Sequence, residues 1–376
     1  MLIMDSNTVN MEPTKRLFIE ILTKDIKLEK AILDLIDNSI DAAKKLNKNL
    51  EKFKIRLTLD NKIFKIEDNC GGITVEEAKK DAFRFGSENS DEKANQDSVG
   101  HYHIGMKRAF FKIGNIIKVD SATNKDYFSL TINVNKWRKS PEWNINLKSF
   151  GINSDLNSIG TKINIKELSE EAKDKFNNEK FIEGLREEIA QTYKDVIKKG
   201  ITIIVNGYVI LTSRSVNETE LVRYKIDNKK YTVEIILKKD RPNYEESGWN
   251  IYLNDRRVVA SDKTDLTGWD IGAEEQYHVI RGYVYAKAKR TGALPFTTTK
   301  DGLDTSNPTY AELKSLMIKA LDESLPKLSN GDYATISYKR PRKDVEGLKK
   351  MFKVRYYKNV GEKTYDEYIK QNNIEL

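Results

Sequence analysis

One cysteine in 376 residues excludes an intrachain disulfide framework and any cysteine-based zinc site, as expected for a reducing compartment. Histidine is almost as scarce, with three in the chain. His101 and His103 stand two apart with no third nearby, a pattern that suits a surface or pocket wall better than a metal centre. No window approaches the roughly 18 to 20 apolar residues that a membrane helix needs. The N-terminus MLIMDSNTVN has no basic region leading into an apolar core, so no secretory leader is expected. These absences together lead to the expectation of a cytoplasmic protein.

What is present describes a globular chain: 39% hydrophobic and 32% charged residues, with a mean hydropathy of -0.62. The length suffices for two cores at roughly 100 to 200 residues each. The net charge of +8 is unevenly placed. Lys339, Arg340, Arg342, Lys343, Lys349, Lys350, Lys353, Arg355 and Lys358 face only two acids in that span, which carries +7 of the total. With Tyr338, Phe352, Tyr356 and Tyr357 interleaved, this segment suits a DNA backbone, where counterion release supplies affinity. A solubilising tail or an intrachain contact fits the same composition.

The stretch KAILDLIDNSIDAA, from Lys30 to Ala43, separates at helical period into two faces. Ile32, Leu35, Ile36, Ser39, Ala42, Ala43 and Leu46 share one; Asp34, Asp37, Asn38 and Asp41 share the other. A row of carboxylates and an amide on a helix backed by core suits a divalent cation and a water, because hard cations take oxygen ligands. A solvated face has the same pattern. Downstream, the strand-like KIRLTLDNKIFKIEDN runs into Asp68-Asn69-Cys70-Gly71-Gly72-Ile73. After a polar span, GSENSDEKANQDSV, comes Gly100-His101-Tyr102-His103-Ile104-Gly105-Met106-Lys107. That polar span has almost nothing to anchor it in a core and reads as a lid.

A helix with Asn, a strand ending in Asp-Asn-x-Gly-Gly, and a glycine-spaced loop opening a helix together resemble the GHKL ATPases. That superfamily takes in gyrase B, the large heat-shock chaperones, histidine kinases and MutL. The resemblance implies an α+β fold whose N-terminal part is a Bergerat-type ATP-binding sandwich, with a mixed, mostly antiparallel sheet and helices on one face. It implies ATP and Mg2+ as ligands, with Asn38 as the metal-binding amide and Asp68 accepting the adenine amino group. Asp41, Ala42, Gly72 and Ile73 then line the nucleotide. Gly100, His101, Tyr102, His103, Ile104, Gly105, Met106 and Lys107 form the phosphate-wrapping turn, and Thr161 in Gly-Thr-Lys supports Asp68. Cys70 and His103 stand where glycines are common. Asp34 stands where hydrolysing members carry the glutamate general base; its side chain is one methylene shorter, so slow turnover is expected.

The second half, with strand-like segments at 200–210, 231–237, 249–253 and 280–285 after a helical 181–198, resembles the transducer domain that follows the ATPase in gyrase B, MutL and MORC proteins. There TTTKDG, around Lys300, resembles the MORC-type loop whose lysine reaches the γ-phosphate, which makes Lys300 a catalytic candidate beside Asp34. The expected layout is an ATP-binding domain over 1–180, a transducer-like domain over 181–330 and a basic segment over 331–376. The function it implies is an ATPase acting as a nucleotide-switched homodimeric clamp on DNA. A chaperone-like ATPase acting on protein clients, or a nucleotide sensor with negligible hydrolysis, are the alternatives.

Overall fold

Along Lys54–Leu59 exposed and buried side chains alternate without a break, the period-two mark of a strand with one face on a core. The computed structural model describes residues 9, 11–46, 49–86, 104–212, 218–269 and 277–328. Gly100, His101, Tyr102, His103, nearly all of the expected lid and the basic segment from Lys339 to Lys358 lie outside the described residues.

In chain order, a π-helical turn Leu17–Ile21 runs into α1 (Leu22–Lys24), then α2 (Leu28–Leu46), β1 (Lys54–Leu59), β2 (Ile63–Asp68) and α3 (Val75–Glu77), which continues as a π-helical turn Ala78–Ala82. Next come α4 (Gly105–Ile113), β3 (Gly114–Ala122), β4 (Asp126–Asn133), α5 (Val134–Lys139), β5 (Leu147–Ile152) and β6 (Gly160–Leu168). Helices α6 (Glu170–Phe176), α7 (Glu179–Thr192) and α8 (Lys194–Lys198) precede β7 (Thr202–Val205) and β8 (Tyr208–Val209). The chain then forms β9 (Thr219–Asp227), β10 (Tyr231–Lys239), β11 (Gly248–Leu253), β12 (Arg256–Asp262), β13 (Ile280–Ala288) and α9 (Pro308–Leu328).

Two compact units result: the described residues up to 210, apart from 188–198, form one, and 188–198 with those beyond 210 form the other. The first holds an eight-stranded sheet in the order β5-β4-β3-β6-β2-β1-β7-β8. Its pairings are antiparallel except β1 with β7, which run parallel. Ile55, Leu57, Phe64, Ile66, Ile117, Val119, Ile163 and Ile165 point inward and are buried, along with Leu33, Ile36 and Ile40 of α2. The outward positions carry Arg56, Glu67, Lys118 and Lys162, so the sheet is apolar on one face and charged on the other. This is the expected α+β architecture.

The segment from Gly200 to Ile210, expected in the second domain, belongs to this first sheet. The pairing register explains why: Ile203 and Val205 lie opposite Ile55 and Leu57, and all four are buried. The second unit has its own five-stranded sheet, β12-β11-β13-β10-β9. Helix α9 packs on β9 and β10 through a core that includes Leu313, Met317 and Leu321.

Candidate functional site

Helix α2 buries its acidic face. Asp34, Asp37 and Asp41 are all inside, while Asn38, in the same row, is exposed. Charged residues are almost never buried unless paired, so the solvated-face alternative does not hold. Leu46, grouped with the apolar face, is exposed instead. The buried carboxylates need partners, and Asp34 has Arg108 of α4, whose Nη2 lies 2.8 Å from Asp34 Oδ2. Gly105, which opens α4, sits against the same carboxylate: a Cβ built there would lie 3.1 Å from Asp34 Oδ2. A helix N-terminus adds favourable dipole to an anion so placed.

Asp68, at the end of β2, is held by neutral donors. Ser39 Oγ donates to Oδ2 at 2.6 Å. Oδ1 accepts the Cys70 N–H at 2.8 Å and the Thr161 N–H at 3.3 Å. Burial raises the Asp68 pKa above the ordinary carboxylate value, and it outweighs the three donors, which pull the other way. Cys70 is itself buried, and that burial, with the Asp68 charge second, pushes its thiol well above the usual range. A thiol kept protonated is inert.

The backbone around Asp68 is packed so closely that only glycine fits. Gly160 has φ 138°, and a Cβ there would fall 1.9 Å from the Asp68 carbonyl oxygen. Gly72, at φ 74°, would meet the Ala122 carbonyl oxygen at 2.1 Å. Ser121, on β3, ties these pieces together: its Oγ accepts the Ile73 N–H at 2.8 Å and lies 3.2 Å from Gly160 O and 3.0 Å from Thr161 Oγ1. Thr161, expected to support Asp68, reaches it directly through its backbone N–H, and its hydroxyl lies beside Ser121 Oγ.

Lys107, expected among the phosphate contacts, is buried, and its Nζ donates to the Ala82 carbonyl at 3.0 Å. Burial lowers its pKa to about 7. Its stem runs toward Phe85, whose ring centroid is 6.0 Å from Nζ, so the side chain follows apolar contact. Ile104, Gly105 and Met106, at the start of α4, are half-buried, as is Ala42 on α2. Lys300 lies in the second unit, buried, at φ 54° in the loop closed by the Phe296–Leu303 bridge. Its N–H donates to Thr297 O at 3.1 Å.

A cavity of about 800 Å³ touches Asp68, Gly160 and Thr161 but is lined by Arg56, Glu67, Asp120 and Lys162. Those side chains alternate with the core residues, so it opens on the charged face of the sheet, opposite α2. Ser121 of the network just described lines it as well, while Ser39 reaches Asp68 from α2. Among the described residues no three His, Cys, Asp or Glu come together as a metal site. Mg2+, the cation that the resemblance implies, takes one or two protein oxygens and substrate phosphates. The exposed Asn38, between the buried Asp34 and Asp41, presents one such oxygen.

A carboxylate set in an envelope of hydroxyl and amide donors, beside a helix that exposes a single amide, defines a nucleotide-binding α+β domain. Residues 26–170 match the family model of the histidine kinase-, DNA gyrase B-, and HSP90-like ATPases. This segment belongs to that family, and it contains Asp34, Asn38, Asp68, Gly105 and Thr161. No curated protein matches the chain. Ser39, Ser121 and Arg108 were not among the residues expected in the site. The available signal was a small hydroxyl on the buried face of a helix or strand, and a second cation beside Lys107.

Proposed function

We propose that the first unit binds ATP with Mg2+ and hydrolyses it slowly, and that the chain acts as a nucleotide-switched dimeric clamp on DNA. The observation that carries ATP binding is the Asp68 carboxylate, held at both oxygens by neutral donors. An acceptor kept in place but not neutralised is what an amino group of a purine needs. Asn38 and Asp41 would hold the metal and its water, and a bound Mg2+ would neutralise phosphate charge. Asp34 would orient water once Arg108 gives it up, which supports slow turnover.

Lys300 is the proposed link between nucleotide and second unit. A non-glycine residue in the left-handed region costs roughly 1 to 2 kcal/mol, and Lys300 adopts it while buried. Strain of this kind concentrates at functional positions. A lysine touching only the γ-phosphate makes the differential contact that a switch requires. DNA as client rests on the basic residues between Lys339 and Lys358. Gel filtration with a non-hydrolysable ATP analogue tests this reading. A dimer with the analogue, absent with ADP and absent in Lys300→Ala, is expected; a monomer in all three removes the clamp. The Asp34–Arg108 pair favours a second reading, a nucleotide sensor with negligible hydrolysis, which a single-turnover assay separates from the first.

A further inference from the structure

The first unit contains a second cavity, of about 1000 Å³, between the helical turn after Thr74, α4, α5 and the inward side of β4 and β5. None of Ser39, Asp68, Cys70 or Thr161 lines it. Its walls include the rings of Phe83, Phe85, Phe111, Trp137 and Trp143. Phe85 stacks on Trp137 at 6.2 Å and Phe111 on Trp137 at 5.8 Å, while Trp143 meets Trp137 edge-on at 5.5 Å. The wall is fixed from behind by Lys15. Its ammonium donates to the carbonyls of Trp137, Ser140 and Glu142 at 2.8, 2.6 and 2.6 Å, and lies 4.8 Å from the Trp137 ring.

Into this aromatic space projects Lys107, 4% exposed, with three N–H bonds to give and a hydrogen bond to Ala82 O. A lysine so buried normally has an anionic partner. The other charged residues lining the cavity are Lys79, Lys80 and Arg84 and one acid, Glu12; Lys80 is paired with Glu76, and with Lys107 the remaining balance is still positive, which favours anions. We propose that this cavity binds a small aromatic carboxylate, its rings lying among Phe85, Phe111 and Trp137 and its carboxylate on Lys107. The volume sits at the upper end of the ~300 to 1,000 Å³ range of small-molecule sites, so it holds a fused or linked ring system. Burial depresses the charge on Lys107, and an arriving carboxylate restores it.

The test is a titration of the full chain with 2-naphthoate, 2-naphthamide and 2-naphthylmethylammonium, read by calorimetry and by quenching of tryptophan fluorescence. The expected result is one naphthoate per chain, at least tenfold weaker binding of the amide, and no binding of the cation. Lys107→Met should weaken naphthoate by tenfold or more and erase the difference between acid and amide. Asp68→Asn, which acts on the nucleotide, should leave naphthoate affinity unchanged, so the two readings fail separately. The charge series on the parent chain needs no variant and stands even if Lys107→Met fails to fold. Equal binding of the three probes, no binding of any, or a Lys107→Met chain that still prefers the acid would overturn the proposal.

Discussion

Two carboxylates in one unit are treated in opposite ways. Asp34 is inside and already meets a full positive charge on Arg108. Asp68 is half-buried, and among the described residues a hydroxyl and two backbone N–H groups reach it; burial makes its charge costly. The first is electrostatically settled without a ligand. The second is held by neutral donors, and an amino group would add one more to the three it already has. On the proposed function, binding and hydrolysis would then rest on residues with different readiness: Asp68 is open to a ligand, and Asp34 has first to leave Arg108.

The comparison breaks most visibly in stability. Removing one side of a buried ion pair costs on the order of 3 to 5 kcal/mol, whereas replacing both by apolar groups is often neutral. Asp34→Ala should therefore lower the first unit's unfolding free energy by about that amount, measured by urea denaturation, and Asp34→Leu with Arg108→Met should recover most of it. A smaller loss, of roughly 1 to 3 kcal/mol, is expected from Gly160→Ala. There the new Cβ meets the Asp68 carbonyl oxygen, and nucleotide binding should fall with it in a calorimetric titration.

Acidity sharpens the contrast with a smaller effect. Because burial raises the Asp68 pKa, its carboxylate takes up a proton at a higher pH in the folded chain than in the unfolded one. The proposed adenine acceptor is its ionised form, so affinity for adenosine, which has no phosphate to titrate, should fall as pH drops through that raised value. For stability the sign reverses. The folded state binds this proton more readily, so the contribution of Asp68 is present at low pH and is lost as pH rises through the folded pKa. A pH series of adenosine titrations, flat down to the range of an ordinary carboxylate near pH 4, would contradict the raised value.

What the sequence made legible was local. The strand-like run that forms β1 and the helical row of α2 depend on neighbours a few residues apart. The capping box that opens α3, with Glu77 N–H donating to Thr74 Oγ1 at 3.1 Å, is equally local. Asp68 was legible because a carboxylate followed by glycines marks a strand end where backbone must come close. The partners of both carboxylates were not. Ser39 lies 29 residues from Asp68 and Arg108 lies 74 from Asp34, and no period in the chain connects them. Strand β12, RRVVASD, starts with two arginines and has no alternation to read; pairing with β11 holds it in the sheet. The direction of the Lys107 side chain was not legible either. Its position in the turn suggests phosphate, and in the folded chain its Nζ donates to the Ala82 carbonyl beside the Phe85 ring.

In the proposed function Asp68 receives the nucleotide while Asp34 is held in reserve. Calorimetric titration with ATP of Asp68→Asn beside Asp34→Asn tests it most directly. The expected result is a loss of about tenfold to a hundredfold in affinity for Asp68→Asn, the scale of a hydrogen bond to a charged group, with Asp34→Asn binding ATP close to the parent. Parent-like binding by Asp68→Asn together with lost binding by Asp34→Asn would contradict it.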